Sequence, residues 1–130
     1  MTKNFTLKEL TATSTGLSNV PTEREKEKLK LLAEKVLQPL RELYGKPIII
    51  NSGFRGDAVN KAVGGVPTSQ HRKGEAADLT TGSKEGNEIL FNLIKDNLEY
   101  DQLINEYDYS WVHVSYTICK PNRKQILKIG

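Results

Sequence analysis

Two histidines and one cysteine are all that this 130-residue chain offers of the softer metal ligands. The lone Cys119 excludes an internal disulfide and any cysteine-rich zinc site, and it is expected to be a small core or strand residue. No run is long and apolar enough to span a membrane. There is no lysine–arginine block and no alternation of aromatic with basic residues. The net charge of +3 is therefore spread too thinly to argue for nucleic acid. The N-terminus, "MTKNFTLKEL", has no apolar h-region. It predicts a protein made in the cytoplasm without a signal peptide, delivered by something else if it acts outside. Repeats and low-complexity linkers are absent too. With 37% hydrophobic and 27% charged residues, a single domain covering 1–130 is expected.

What the chain does contain is periodic. "FTLKEL" reads as a helical turn docking Phe5, Leu7 and Leu10 on the body. "PTEREKEKLKLLAEKVLQPLRELYG" reads as the main helix, with a Thr22–Glu25 capping box at its start. Its apolar face is expected to be Leu29, Leu32, Ala33, Val36, Leu40 and Leu43, ended by Gly45 and kinked or split by Pro39. "KPIIINSGFR" is a short β-branched strand opening into a loop, and "GDAVNKAVGG" is helical up to its double glycine. "SKEGNEILFNLIKDNL" predicts a second amphipathic helix with Ile89, Leu90, Leu93, Ile94 and Leu98 on one face. "EAADLTTG", "DQLINEY", "SWVHVSYTI" and "KQILKIG" are strand candidates, the last two joined by the turn "KPNR". The order predicts an α+β domain, a mostly antiparallel sheet packed with helices and finishing in a strand meander.

Chemistry concentrates in "SQHRKGEAADL" and "SWVHVSY". In the second, a period of two puts Trp111, His113 and Ser115 on one face and the core valines on the other. In the first, His71 and Asp78 lie seven residues apart around Gly74, so a turn into a strand would aim both at one point. Two imidazoles and a carboxylate with one open position form the pattern of a catalytic rather than a structural zinc. On spacing alone, a satisfied strand histidine remains the competing reading.

The same residues resemble a known family. "SQHRKGEAADL" fits the pattern Ser-x-His-x-x-Gly-x-Ala-x-Asp of the zinc D-alanyl-D-alanine carboxypeptidase family. That family also contains the L-alanyl-D-glutamate endopeptidases of phage lysins, and the hedgehog signalling domain shares its metal-site fold. "FTLKELTATSTG", "VLQPLRELYGKPIIINSGFR", "NKAVGGVPTSQHRKGEAADL", "YDQLINE" and "WVHVSY" look like segments of one branch of it, in order. The resemblance implies a hedgehog/DD-peptidase-like fold holding one Zn2+ on His71, Asp78 and His113. It implies that Arg55 stabilises the substrate carbonyl as it becomes an oxyanion. Ser69 matches a position that contacts substrate backbone, with a turn-capping hydroxyl as the alternative.

One position departs from the pattern. Well-known members carry the catalytic glutamate three residues before the last histidine, where this chain has Ser110. Glu106 is the expected replacement, reaching in from an adjacent antiparallel strand, with Asp108 as runner-up. Glu75 is left out because alternation from Asp78 places it on the opposite face. The expectation is thus a monomeric zinc metallopeptidase hydrolysing an amide in the stem peptide of bacterial peptidoglycan. It would act like a phage endolysin, after holin-type release or carried in a virion. The alternatives are a D,D-carboxypeptidase or dipeptidase, and a catalytically silent metal-holding module. Another divalent ion in place of zinc also stays open.

Overall fold

The computed structural model describes residues 1–130. Helix α1 (Leu7–Thr11) starts on a Thr6–Glu9 capping box and buries Phe5 and Leu10, with Leu7 packed alongside. The long helical run starts on the Thr22–Glu25 box as α2 (Glu23–Leu32) and resumes as α3 (Gln38–Tyr44), which ends on left-handed Gly45. Between them, Ala33–Leu37 form a π-helical turn in which the Gln38 N–H donates to the Ala33 carbonyl. Pro39 is the cause expected for such a break, because it supplies no N–H and its ring crowds the preceding turn.

The π-turn changes which residues face inward. It inserts one extra residue, so the apolar stripe continues through the buried Leu37 and Leu40 to Tyr44, which packs on the core. Leu43, expected inside, is left 49% exposed. In α5 (Lys84–Asn97) the stripe is also rotated from expectation. Phe91 is buried beside Leu90 and Ile94, while Ile89 is 49% exposed.

Five strands follow from the alternating and β-branched runs: β1 (Ile49–Ser52), β2 (Ala76–Thr80), β3 (Gln102–Glu106), β4 (Trp111–Ser115) and β5 (Gln125–Ile129). Helix α4 (Asp57–Ala62) lies between β1 and β2 in the chain. The sheet order is β1-β2-β4-β3-β5. Three pairings are antiparallel, and β5 runs parallel to β3. The last strand therefore crosses to the far edge instead of completing a meander. Strand β4 stops at Ser115, and Thr117 accepts a bond on its hydroxyl from the Cys119 N–H at 3.1 Å. Cys119 consequently sits exposed in the crossing segment, neither in the core nor in a strand.

One face of the sheet carries Ala77, Leu79, Leu103, Val112 and Val114, all fully buried in a core shared with α1, α2, α3 and α5. At ~25 cal/mol per Å² this apolar burial is the main term holding the fold together. Strand alternation sends Asp78, Ile104, Glu106, Trp111 and His113 to the opposite face, where they line a cleft of about 1180 Å³.

Candidate active site

Sheet register builds the centre of this cleft. Asp78 and His113 are direct partners across β2 and β4, and Ile104 is His113's partner on β3. The Asp78 Oδ1 lies 3.0 Å from the His113 Nδ1. His71 arrives from the turn before β2, and its Nε2 is 3.3 Å from the Asp78 Oδ2. Gly74 makes that turn possible: its φ of +76° is left-handed, and a Cβ there would stand 2.8 Å from the Glu25 carbonyl oxygen of α2.

The ligand atoms of His71, Asp78 and His113 all lie within 4.8 Å of one another. The Nδ1 of His71 donates to the Gly53 carbonyl at 2.7 Å, which leaves its Nε2 lone pair facing Asp78 and His113. Burial alone would raise the Asp78 pKa, but the His113 and His71 rings beside it hold the carboxyl well below its usual range. Two imidazoles and a carboxylate converging on one point suit zinc or another divalent ion of similar taste.

Arg55 lines the same cleft. Its backbone N–H donates to the His71 carbonyl at 2.9 Å, which fixes the loop after β1 to the ligand-bearing turn. Burial lowers the guanidinium's pKa, while the Asp78 and Glu106 carboxylates pull it back up. Its guanidinium makes no hydrogen bond within the protein; the Nε is buried, and the side chain lines the cleft.

Glu106 ends β3 opposite Trp111. Its Oε2 accepts the Trp111 indole N–H at 2.9 Å and lies 4.0 Å from the His113 Nδ1. The carboxylate is thus held at the metal triad by its cross-strand neighbour. Asp108 is placed elsewhere. It is exposed, bonded to the Lys84 ammonium at 2.6 Å, and lines a separate shallow groove with Ser110. Lys84 holds the Asp108 carboxyl below its ordinary range. Ser69 lines the cleft, and its hydroxyl accepts the His71 N–H at 3.2 Å, a bond within the turn.

Glu75 corrects the sequence-based expectation. The strand begins only at Ala76, so alternation does not govern Glu75, and its side chain lines the cleft. There it is buried, accepting from the Thr117 hydroxyl at 2.8 Å with the Lys28 ammonium 3.7 Å away.

Periodicity also gave no sign of Asn19, in the Ser/Thr-rich stretch before α2. Its amide donates to the Thr11 and Phe54 carbonyls at 2.9 and 2.8 Å and accepts the Gly56 N–H at 2.7 Å, bracketing Arg55 from both sides. A polar residue in an aperiodic segment carries no pattern that marks such a role. Trp111 was legible as a cleft-facing residue, but not as the partner of Glu106.

Peptidase M15 matches residues 3–115, which takes in Arg55, Ser69, His71, Asp78, Glu106 and His113. The chain belongs to the peptidase M15 family. A zinc D-Ala-D-Ala carboxypeptidase of Streptomyces albus G is 49% identical over 49 residues, 37% of this chain. The match spans only 19% of that relative's length. The five-stranded mixed sheet with helices on one face is consistent with the fold of M15 peptidases.

Proposed function

We propose that this M15 chain is a zinc peptidase hydrolysing an amide in the stem peptide of bacterial peptidoglycan. The observation that carries the reading is the convergence of His71, Asp78 and His113 beside a carboxylate and a guanidinium on the floor of one open cleft. The carboxypeptidase relative, named for zinc and D-Ala-D-Ala, supports the metal and the substrate class. When bound, zinc would supply the Lewis acidity that polarises the scissile carbonyl and makes water nucleophilic at neutral pH.

The chain's own residues then divide the work. Glu106, oriented by Trp111, takes the proton from the attacking water and returns it to the departing amine nitrogen. The Arg55 guanidinium, unbonded within the protein, stabilises the carbonyl oxygen as negative charge develops there. Ser69, at the cleft wall, contacts the peptide backbone. A lytic, wall-degrading role of the phage type, on an internal bond of the stem, is the finer form of this reading. It is supported by the ordered run of lysin-like segments along the chain.

Mass spectrometry of muropeptides after digestion, with and without chelator, tests it. Loss of terminal D-Ala marks a carboxypeptidase, and an internal cut marks an endopeptidase. Failure of the zinc-loaded protein to cleave sacculi or a panel of stem peptides would favour a silent metal-holding module. Retained turnover in zinc-loaded Glu106→Gln would remove Glu106 from the role of base.

A further inference from the structure

The metal triad occupies one part of the cleft. Along β2 and β4 from it lies a second polar cluster that the proposed chemistry does not use. Lys28 reaches in from α2 with only 12% of its side chain exposed. Its ammonium makes no hydrogen bond within the protein, and its one ionic partner, the Glu75 carboxylate, is 3.7 Å away. Glu75 is itself engaged by the Thr117 hydroxyl. Its stem is mostly covered while the ammonium stays open to the cleft, and with three N–H donors and one loosely placed anion it has room for a further acceptor.

No second acidic side chain lies within ionic reach of Lys28. Lys73 and Lys120 line the same cleft. Arg123 also lines it, but both of its bonding nitrogens are taken by Asp101, at 2.9 and 2.8 Å. Of the three lysines lining the cleft, only Lys28 is in ionic contact with an acid, Glu75.

We infer that this end of the cleft is a subsite for a carboxylate of the peptide substrate, with Lys28 as its anchor. The inference rests on the peptidase reading and deepens it. Glu75 and Asp78 are three residues apart in the chain, which at full extension spans at most about 10 Å, so the subsite lies within about that distance of the metal triad. An extended peptide covers that span in two to three residues. The ligand class is therefore an oligopeptide with a free carboxylate within two or three residues of the cleaved amide. Glu75, itself held by Thr117, steadies the ammonium, and Lys73 and Lys120 add positive charge to the same cleft.

The test uses pairs of synthetic stem peptides identical except that one carboxylate is a carboxamide, and zinc-loaded full-length protein. Wild type is expected to favour the carboxylate form by about 10- to 100-fold in kcat/KM, the range of one charge-assisted hydrogen bond. Lys28→Met, which keeps the apolar stem, should bring the acid-to-amide ratio close to one. Lys28→Arg should retain most of it. A merely structural Lys28–Glu75 pair would change stability and leave the ratio intact.

Calorimetric binding of both peptides to Glu106→Gln protein separates the two levels of argument. Cleavage without acid–amide discrimination overturns the subsite and leaves the peptidase standing. Tighter binding of the acid, abolished by Lys28→Met but without turnover in the wild type, keeps the subsite and overturns the peptidase. No preference in either assay overturns the subsite whatever the enzyme does.

Discussion

Gly74 and Gly45 offer a matched pair of perturbations, because both have φ of +76° and only one is crowded. An alanine at either position is forced into left-handed backbone, which costs about 1–2 kcal/mol. Any gain from a stiffer unfolded chain is common to both and cancels in the comparison. At Gly45 a Cβ would meet nothing within 4 Å, so Gly45→Ala should lose only the conformational amount. At Gly74 the Cβ would stand 2.8 Å from the Glu25 carbonyl oxygen and 3.4 Å from the Leu29 side chain. Relieving that overlap means moving the turn off α2, at a further cost of about 1–3 kcal/mol. Urea unfolding of both variants should therefore place Gly74→Ala below Gly45→Ala by about that second amount. The displaced turn carries His71 at one end and leads into Asp78 at the other. Competition with a chromophoric chelator should accordingly show weaker zinc binding in Gly74→Ala and native binding in Gly45→Ala. Equal destabilisation of the two variants, or native zinc affinity in a destabilised Gly74→Ala, would refute the view that this close approach shapes the ligand set.

Other expectations follow from the same contacts. Trp111→Phe removes the indole donor to Glu106 and should lower kcat by about tenfold with KM little changed, read from steady-state hydrolysis. Asp101 is buried, and the Arg123 guanidinium holds its pKa down to about 2 from 3.8. Its depressed pKa adds stability above about pH 4 that is lost as pH falls through about 2. The amount is at most about 2 kcal/mol. Urea unfolding at pH 5 and pH 2 should show that loss in wild type and a smaller one in Asp101→Asn. Chelation should lower the melting temperature, and added zinc should raise it progressively with concentration, while Asp78→Asn protein should respond little.

Much of the fold was legible because its elements carry strong local signals. The Thr22 capping box, the Val112–Val114 alternation and the apolar run before Ser52 each specify an element by themselves. The misreadings have local causes too. Leu43 went to solvent because one extra residue in a π-turn rotated the stripe, and periodicity assumes a constant turn. Strand β5 pairs in parallel at the sheet's far edge because strand order is settled by long-range packing, which a turn signal such as "KPNR" does not encode. In the site, His71, Asp78 and His113 were candidates by residue type and spacing, and it was the resemblance that joined them into one ligand set. Glu75 was misplaced because strand alternation was extended one residue before the strand begins. Asn19, and the pairing of Trp111 with Glu106, depend on contacts across 35 residues and across a strand pair, respectively, and neither leaves a mark in the sequence.

The register between β2 and β4 has a consequence for timing. His71 and Asp78 are near neighbours in the chain, and a nascent segment holding only those two donors would be a poor chelator. The third donor comes 35 residues after Asp78, and the Asp78–His113 pairing of the antiparallel strands brings it into place. Capture of the ion therefore reports that the central strand has docked, and a peptidase built this way stays unarmed until β4 has paired with β2.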